Sequence, residues 1–134
     1  MFDFSFYYGD WALALLRIIL GILLVVHGLP KLKDLKATSA GFDSMGFKPG
    51  AFWGPLVAFA EFFGGLALVL GIGTEFAAAV FVIQFAVITI WKIISRQPFA
   101  GGFEIDLLIL GAAAILLTQG AGVFSVDKFF YGGF

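Results

Sequence analysis

Polar residues are so sparse along this chain that four apolar stretches stand out at once. The first is "WALALLRIILGILLVVHGL", residues 11–29, broken by one arginine and one histidine near its end. The second is "FWGPLVAFAEFFGGLALVLGI", residues 52–72, with a single glutamate. The third, "EFAAAVFVIQFAVITIWKII", covers residues 75–94, and the fourth, "FEIDLLILGAAAILLTQGAG", about residues 103–120. A helix needs about 20 mainly apolar residues to cross a bilayer. The pattern therefore predicts an all-α protein, an integral membrane four-helix bundle, built as one four-span domain over residues 1–134.

The connections complete this picture. Residues 31–51 carry "ATSAGFDSMGFKPGAF" and read as an ordered loop or a short interfacial helix. "GIGT" is a tight turn in which Gly73 breaks one helix and Thr74 is expected to cap the next. Pro30 is expected to end the first span. The tail "SVDKFFYGGF" suits the membrane interface.

Composition agrees with the patterning. Of 134 residues, 61% are hydrophobic and 13% charged, against roughly half and a quarter in average chains. The excess apolar surface has to face lipid. The net charge of −1 offers no field for nucleic acid. There is no cysteine, which removes thiol redox chemistry and thiolate metal sites. No metal-ligand spacing, Gly-rich phosphate loop or nucleophile triad is present, so no metal and no intrinsic cofactor is expected. The start, "MFDFSFYYGDW", lacks the positive charge and small-residue cleavage site of a signal peptide, so the first apolar run reads as a retained span.

Lysine and arginine set the expected orientation. Lys31, Lys33, Lys36 and Lys48 lie in the first connection, and Lys92 and Arg96 border the third. The opposite side has only Lys128. The positive-inside rule then places both termini on the non-cytoplasmic face of the cell membrane, the inner membrane where there are two. Trp11, Trp53 and Trp91 fall near span ends, as interface anchors should.

The intramembrane polar residues are the candidate chemistry. Arg17 is six residues inside the first span, Glu61 about eleven residues from the outer end of the second, and Gln84 nine residues into the third. At about 1.5 Å rise per residue they reach similar depths. Gly21, Leu24, Gly28 and Lys31 share a face with Arg17; Gly54, Ala58, Gly65 and Leu68 share one with Glu61. Small residues beside each charge mark faces where helices approach closely. The expectation is a buried Arg17–Glu61 ion pair assisted by Gln84, since a lone charge at mid-bilayer costs a few kcal/mol. A second, inner polar cluster is expected from His27, Lys31, Lys92 and Glu104. Glu104 shares a face with Gly111 and Thr118 and is expected to look inward, with Asp106 pointing away as a first-turn charge.

The ordered marks are "LRIILGILLVVHGLPKL", "AEFFGGLALVLGIGT", "GGFEIDLLIL" and "GAGVFSVDKF". In sequence they give Arg, then His-Gly-x-x-Lys, Glu-x-x-Gly-Gly, a Glu opening the fourth span, and Gly-x-Gly-x-x-Ser-x-Asp. Over nearly its whole length the chain resembles the DoxX family of small membrane proteins. The resemblance implies a four-helix membrane protein, with polar positions falling on Arg17, His27, Lys31, Glu61 and Glu104. Some members are linked to thiosulfate oxidation with electrons passed to quinone, and others to larger oxidoreductase assemblies.

Three functions stay open on the sequence. One is a subunit of a quinone-linked oxidoreductase system, with His27 and Glu61 or Glu104 as proton-handling catalytic groups, quinone as the bound molecule, and electrons supplied by other membrane or peripheral redox subunits. Another is a non-catalytic accessory or scaffold subunit of a larger membrane complex. The third is a small transporter, for which intramembrane charges are equally apt.

Overall fold

A computed structural model of the chain describes the backbone of residues 4–131 and the side chains of residues 8–130. The helices are α1 (Phe4–Lys33), α2 (Leu35–Met45), α3 (Gly50–Leu70), α4 (Thr74–Ile94), α5 (Glu104–Gln119) and the short α6 (Val126–Tyr131). No strand occurs among the described residues. Four segments are long and apolar enough to cross a membrane: Tyr8–Lys33, Gly50–Leu70, Thr74–Ile94 and Phe99–Gln119. The protein is thus an all-α, multi-pass membrane protein whose spans match the four apolar runs. The first connection, expected to be an ordered loop or a short interfacial helix, holds the helix α2.

The bundle is two helix pairs. α1 packs along α3 and α4 along α5, whereas α3 and α4, though consecutive, meet over a short length. Glycine explains the first pair. A methyl carbon on Gly21 would sit 2.6 Å from the Gly65 carbonyl oxygen, and one on Gly65 would sit 2.7 Å from that of Gly21. Only with both side chains absent do the backbones approach this closely. The pairs are joined by a core of Leu20, Leu24, Leu68, Phe81, Ile109 and Leu116.

Two helix boundaries differ from the sequence reading. α1 runs through Pro30 to Lys33. Proline loses one helical hydrogen bond, yet the α1–α3 contact holds the last turn in place. At the start of α4, Gly73 rather than Thr74 is the cap residue. Both carboxylate oxygens of Asp127 accept from the Gly73 and Thr74 amides, at 2.8 and 3.1 Å. The cap therefore comes from the tail, 53 residues along the chain from Thr74.

Candidate functional site: a charged cavity at one end of the bundle

The polar residues gather differently from the expected pattern. Arg17 is 1% exposed, the largest fully buried side chain among the described residues. Its Nη1 donates to the Leu68 and Val69 carbonyls at 2.8 and 3.0 Å, and its Nη2 to the Phe124 carbonyl at 2.5 Å. The last carbonyls of a helix lack intrahelical donors and carry the negative end of its dipole. Arg17 supplies donors to the α3 end and binds the C-terminal tail to it. Gly71, at φ 74°, completes the turn; a methyl there would lie 2.7 Å from Arg17 Nη1.

The expected Arg17–Glu61 pair is therefore corrected. The antiparallel α1–α3 register sets Arg17 against Leu68, seven residues beyond Glu61. Seven residues are about 10 Å of helix, too far for the side chains to bridge. Lys31 takes the role instead. Its Nζ is 2.8 Å from both Glu61 oxygens, and Gln84 Nε2 donates to Glu61 Oε1 at 2.9 Å. Glu61 is 3% exposed, so three donor contacts compensate a carboxylate almost fully removed from solvent.

The second cluster is also rearranged. Lys92 Nζ donates to Asp106 Oδ2 at 2.6 Å. Glu104 is the first residue of α5, and its Oε1 accepts from the Gly101 amide at 3.0 Å. The reason is the turn at residues 99–103, where Gly101 adopts φ 77°. That turn leaves an amide for Glu104 to cap and rotates Asp106, which is buried, toward Lys92. Glu104 accordingly leaves the inner cluster and Asp106 enters it. Gly111 and Thr118, on the face assigned to Glu104, are exposed.

Both ion pairs line one cavity of about 870 Å³. Its polar lining is Lys31, Glu61, Gln84, Lys92 and Asp106, with His27 also on the wall. The rest of the lining is mainly apolar or aromatic, including Phe42, Phe47, Trp53 and Phe85. His27 is exposed, and its Nδ1 lies 2.7 Å from the Leu23 carbonyl. A carbonyl only accepts, so Nδ1 is the donor in this contact. Two ammonium groups face two carboxylates, which leaves the cavity charge-balanced. Such a site accommodates a neutral molecule with hydrogen-bonding groups at one end and apolar bulk elsewhere.

A hollow of about 560 Å³ at the other end is bordered by Asp10, Glu75 and Asp127. The Asp127 oxygens there are occupied by the α4 cap. Among the described residues no three His, Cys, Asp or Glu side chains gather as a metal site would require.

Comparison with known proteins decides the family, because the DoxX family profile matches residues 12–93. This chain belongs to the DoxX family. It is 32% identical over 121 residues to "Putative oxidoreductase CatD" of Bacillus subtilis (strain 168), covering 89% of this chain and 87% of that protein. It is 33% identical over 124 residues to "Inner membrane protein YqjF" of Escherichia coli (strain K12), covering 89% and 92%. A Haemophilus influenzae protein named only as uncharacterized is 26% identical over 132 residues, covering 92% and 94%. No solved structure matches the chain. The family match spans α1 to α4, so Arg17, His27, Lys31, Glu61 and Gln84 fall inside it and Asp106 beyond it.

Proposed function

We propose that this DoxX protein is the membrane subunit of a quinone-linked oxidoreductase system and that its inner cavity holds the quinone head. The observation that carries the reading is the pair of part-buried Lys–carboxylate contacts in an otherwise mainly apolar cavity. Lys31, Gln84 and Lys92 are donors placed to orient carbonyl oxygens. Glu61 and Asp106 keep both lysines charge-paired where lipid would otherwise make a cation costly. His27 is a proton carrier at the cavity wall. A quinone supplies two-electron chemistry that takes up two protons, and these residues bind the head and handle protons around it. The oxidoreductase in the Bacillus relative's name agrees with this reading. The electrons come from a partner subunit, since the chain has no redox motif of its own. The protein sits in the cell membrane with both termini outside the cytoplasm.

The deciding experiment purifies the protein with its partners in mild detergent, extracts the lipid fraction, and follows quinone reduction across pH. Unaltered protein carries quinone; His27→Phe keeps the fold and the assembly but loses turnover, because shape survives and the proton carrier does not. Full turnover in His27→Phe moves the assignment to the scaffold reading. One observation favours that alternative: Phe129 and Phe130 on α6 are 80% and 74% exposed and offer an aromatic contact to a partner.

A further inference from the structure

The exposure of the cavity walls marks a way in. Near the middle of the bundle Phe81 of α4 closes the space against α3, packing so tightly on Gly64 that a methyl there would lie 2.6 Å from its ring. Leu56 of α3, Ile83 and Val87 of α4 and Ile105 of α5 line the cavity, yet they are 48%, 67%, 47% and 47% exposed. Side chains that both line a cavity and remain this exposed form its rim. All four lie on membrane-spanning helices, so the rim opens on lipid, with Leu56 facing Ile83 and Val87 across the α3–α4 gap and Ile105 extending the rim along α5.

The water side is covered. Phe42, Met45 and Phe47, from α2 and the residues after it, line the cavity as a roof. That roof is fixed at several points. Thr38 Oγ1 donates to the Lys31 carbonyl at 3.1 Å, Asp43 Oδ1 accepts from the Gly50 amide at 2.7 Å, and Trp91 Nε1 donates to the Met45 carbonyl at 2.9 Å. Entry through the roof requires breaking such bonds; entry through the rim requires only rotamer changes of lipid-facing side chains.

We infer that the cavity is loaded sideways from the bilayer, between α3 and α4, by a neutral lipid-soluble molecule whose long apolar tail stays threaded through the Leu56–Ile83–Val87 rim. A charged head would meet an already balanced set of two lysines and two carboxylates, so the head is neutral. The quinone nature of the head rests on the proposed function; the route and the tail rest on the rim.

The test uses the full chain in nanodiscs with two probes, menaquinone with its isoprenoid tail and tail-free menadione. Leu56→Phe/Val87→Phe narrows the rim at two lipid-facing positions, where added bulk is tolerated by the fold. It is expected to weaken menaquinone binding by about tenfold and leave menadione unchanged. Trp91→Phe, which unlatches the roof, is expected to leave both unchanged. Equal binding of menaquinone by the rim variant, or a gain confined to Trp91→Phe, overturns the lateral route. If neither probe binds the unaltered protein, the quinone assignment falls, and with it the head proposed here. The route is then decided separately, because the cysteine-free chain accepts a nitroxide label at Val87→Cys. Strong relaxation by oxygen with little by a water-soluble nickel chelate supports a lipid opening; the reverse overturns it.

Discussion

Lys31 and Glu61 form a two-oxygen ion pair, with the ammonium 2.8 Å from each carboxylate oxygen, across the α1–α3 contact. Breaking a buried pair leaves an uncompensated charge, typically at a cost of about 3–5 kcal/mol. Lys31→Met, which leaves the buried Glu61 carboxylate without its cation, should lower thermal stability in detergent by such an amount, and Glu61→Gln by less, because the Lys31 side chain is 34% exposed. The double variant should recover about 2 kcal/mol relative to their sum, a coupling that contacting residues show. The same cycle on Arg17→Leu and Glu61→Gln should be additive within about 0.5 kcal/mol, as expected for residues without shared partners. Strong coupling of Arg17 to Glu61 would overturn the register described here.

Arg17 itself predicts a different pattern, because its partners are carbonyls from two segments. Hydrogen bonds to charged groups contribute about 1.5–3 kcal/mol each, and their loss is only partly offset. Arg17→Leu should therefore cost at least about 3 kcal/mol and free the tail, seen as faster proteolysis after Gln119. Arg17→Lys should rescue only part of this, since one ammonium cannot reproduce a planar fork aimed at both segments. Full rescue by lysine would show that charge alone matters at this position.

How far these contacts were legible in the sequence depends on the kind of information each needs. Four spans follow from hydropathy alone. The inner face of α3 was legible too, since Gly54, Ala58, Gly65 and Leu68 are buried with Glu61. The partner of Glu61 was not. Counting residues from span ends gives depth to within a turn or two, and the real register is set by the Gly21–Gly65 approach, a property of two helices together. On α5 the small-residue rule misled. Gly111 and Thr118 face outward, while Asp106 lies on the stripe of Ile109, Ala113 and Leu116, which the bulk of its apolar members would have revealed. The roles of Arg17 and Asp127 depend on where a distant loop returns, and no local pattern contains that.

Asp127 caps α4 in place of a local side chain. Losing a capping carboxylate typically costs about 1 kcal/mol. Asp127→Ala should lower stability by that amount, and Asp127→Asn by less, because its amide oxygen still accepts one of the two bonds. A new cap at Gly73→Asp is not expected to rescue Asp127→Ala fully, since Gly73 sits at φ 56° and a substituted side chain is strained there. Amide hydrogen exchange at Thr74 to Ala77 reads the effect directly, and unchanged protection in Asp127→Ala would remove the tail from this role.

The assignment of Asp106 rather than Glu104 to the cavity gives the cleanest contrast in the protein. The two carboxylates are two residues apart on one helix, yet one is buried against Lys92 and the other bonds a backbone amide in its own turn. Asp106→Leu leaves the part-buried Lys92 ammonium unpaired and should cost about 2 kcal/mol. Glu104→Ala removes only a local cap and should cost about 1 kcal/mol. Joint replacement by Lys92→Met and Asp106→Leu should restore much of the loss, because a buried ion pair is often replaceable by apolar residues of similar volume. Menadione binding then separates structure from function. If Lys92 orients a bound carbonyl, the doubly apolar variant folds but binds the head group about tenfold more weakly, the loss of one good hydrogen bond to a charged donor. Unchanged binding in that stable variant would leave Lys31 and Gln84 as the head-group donors and reduce Lys92–Asp106 to a structural pair.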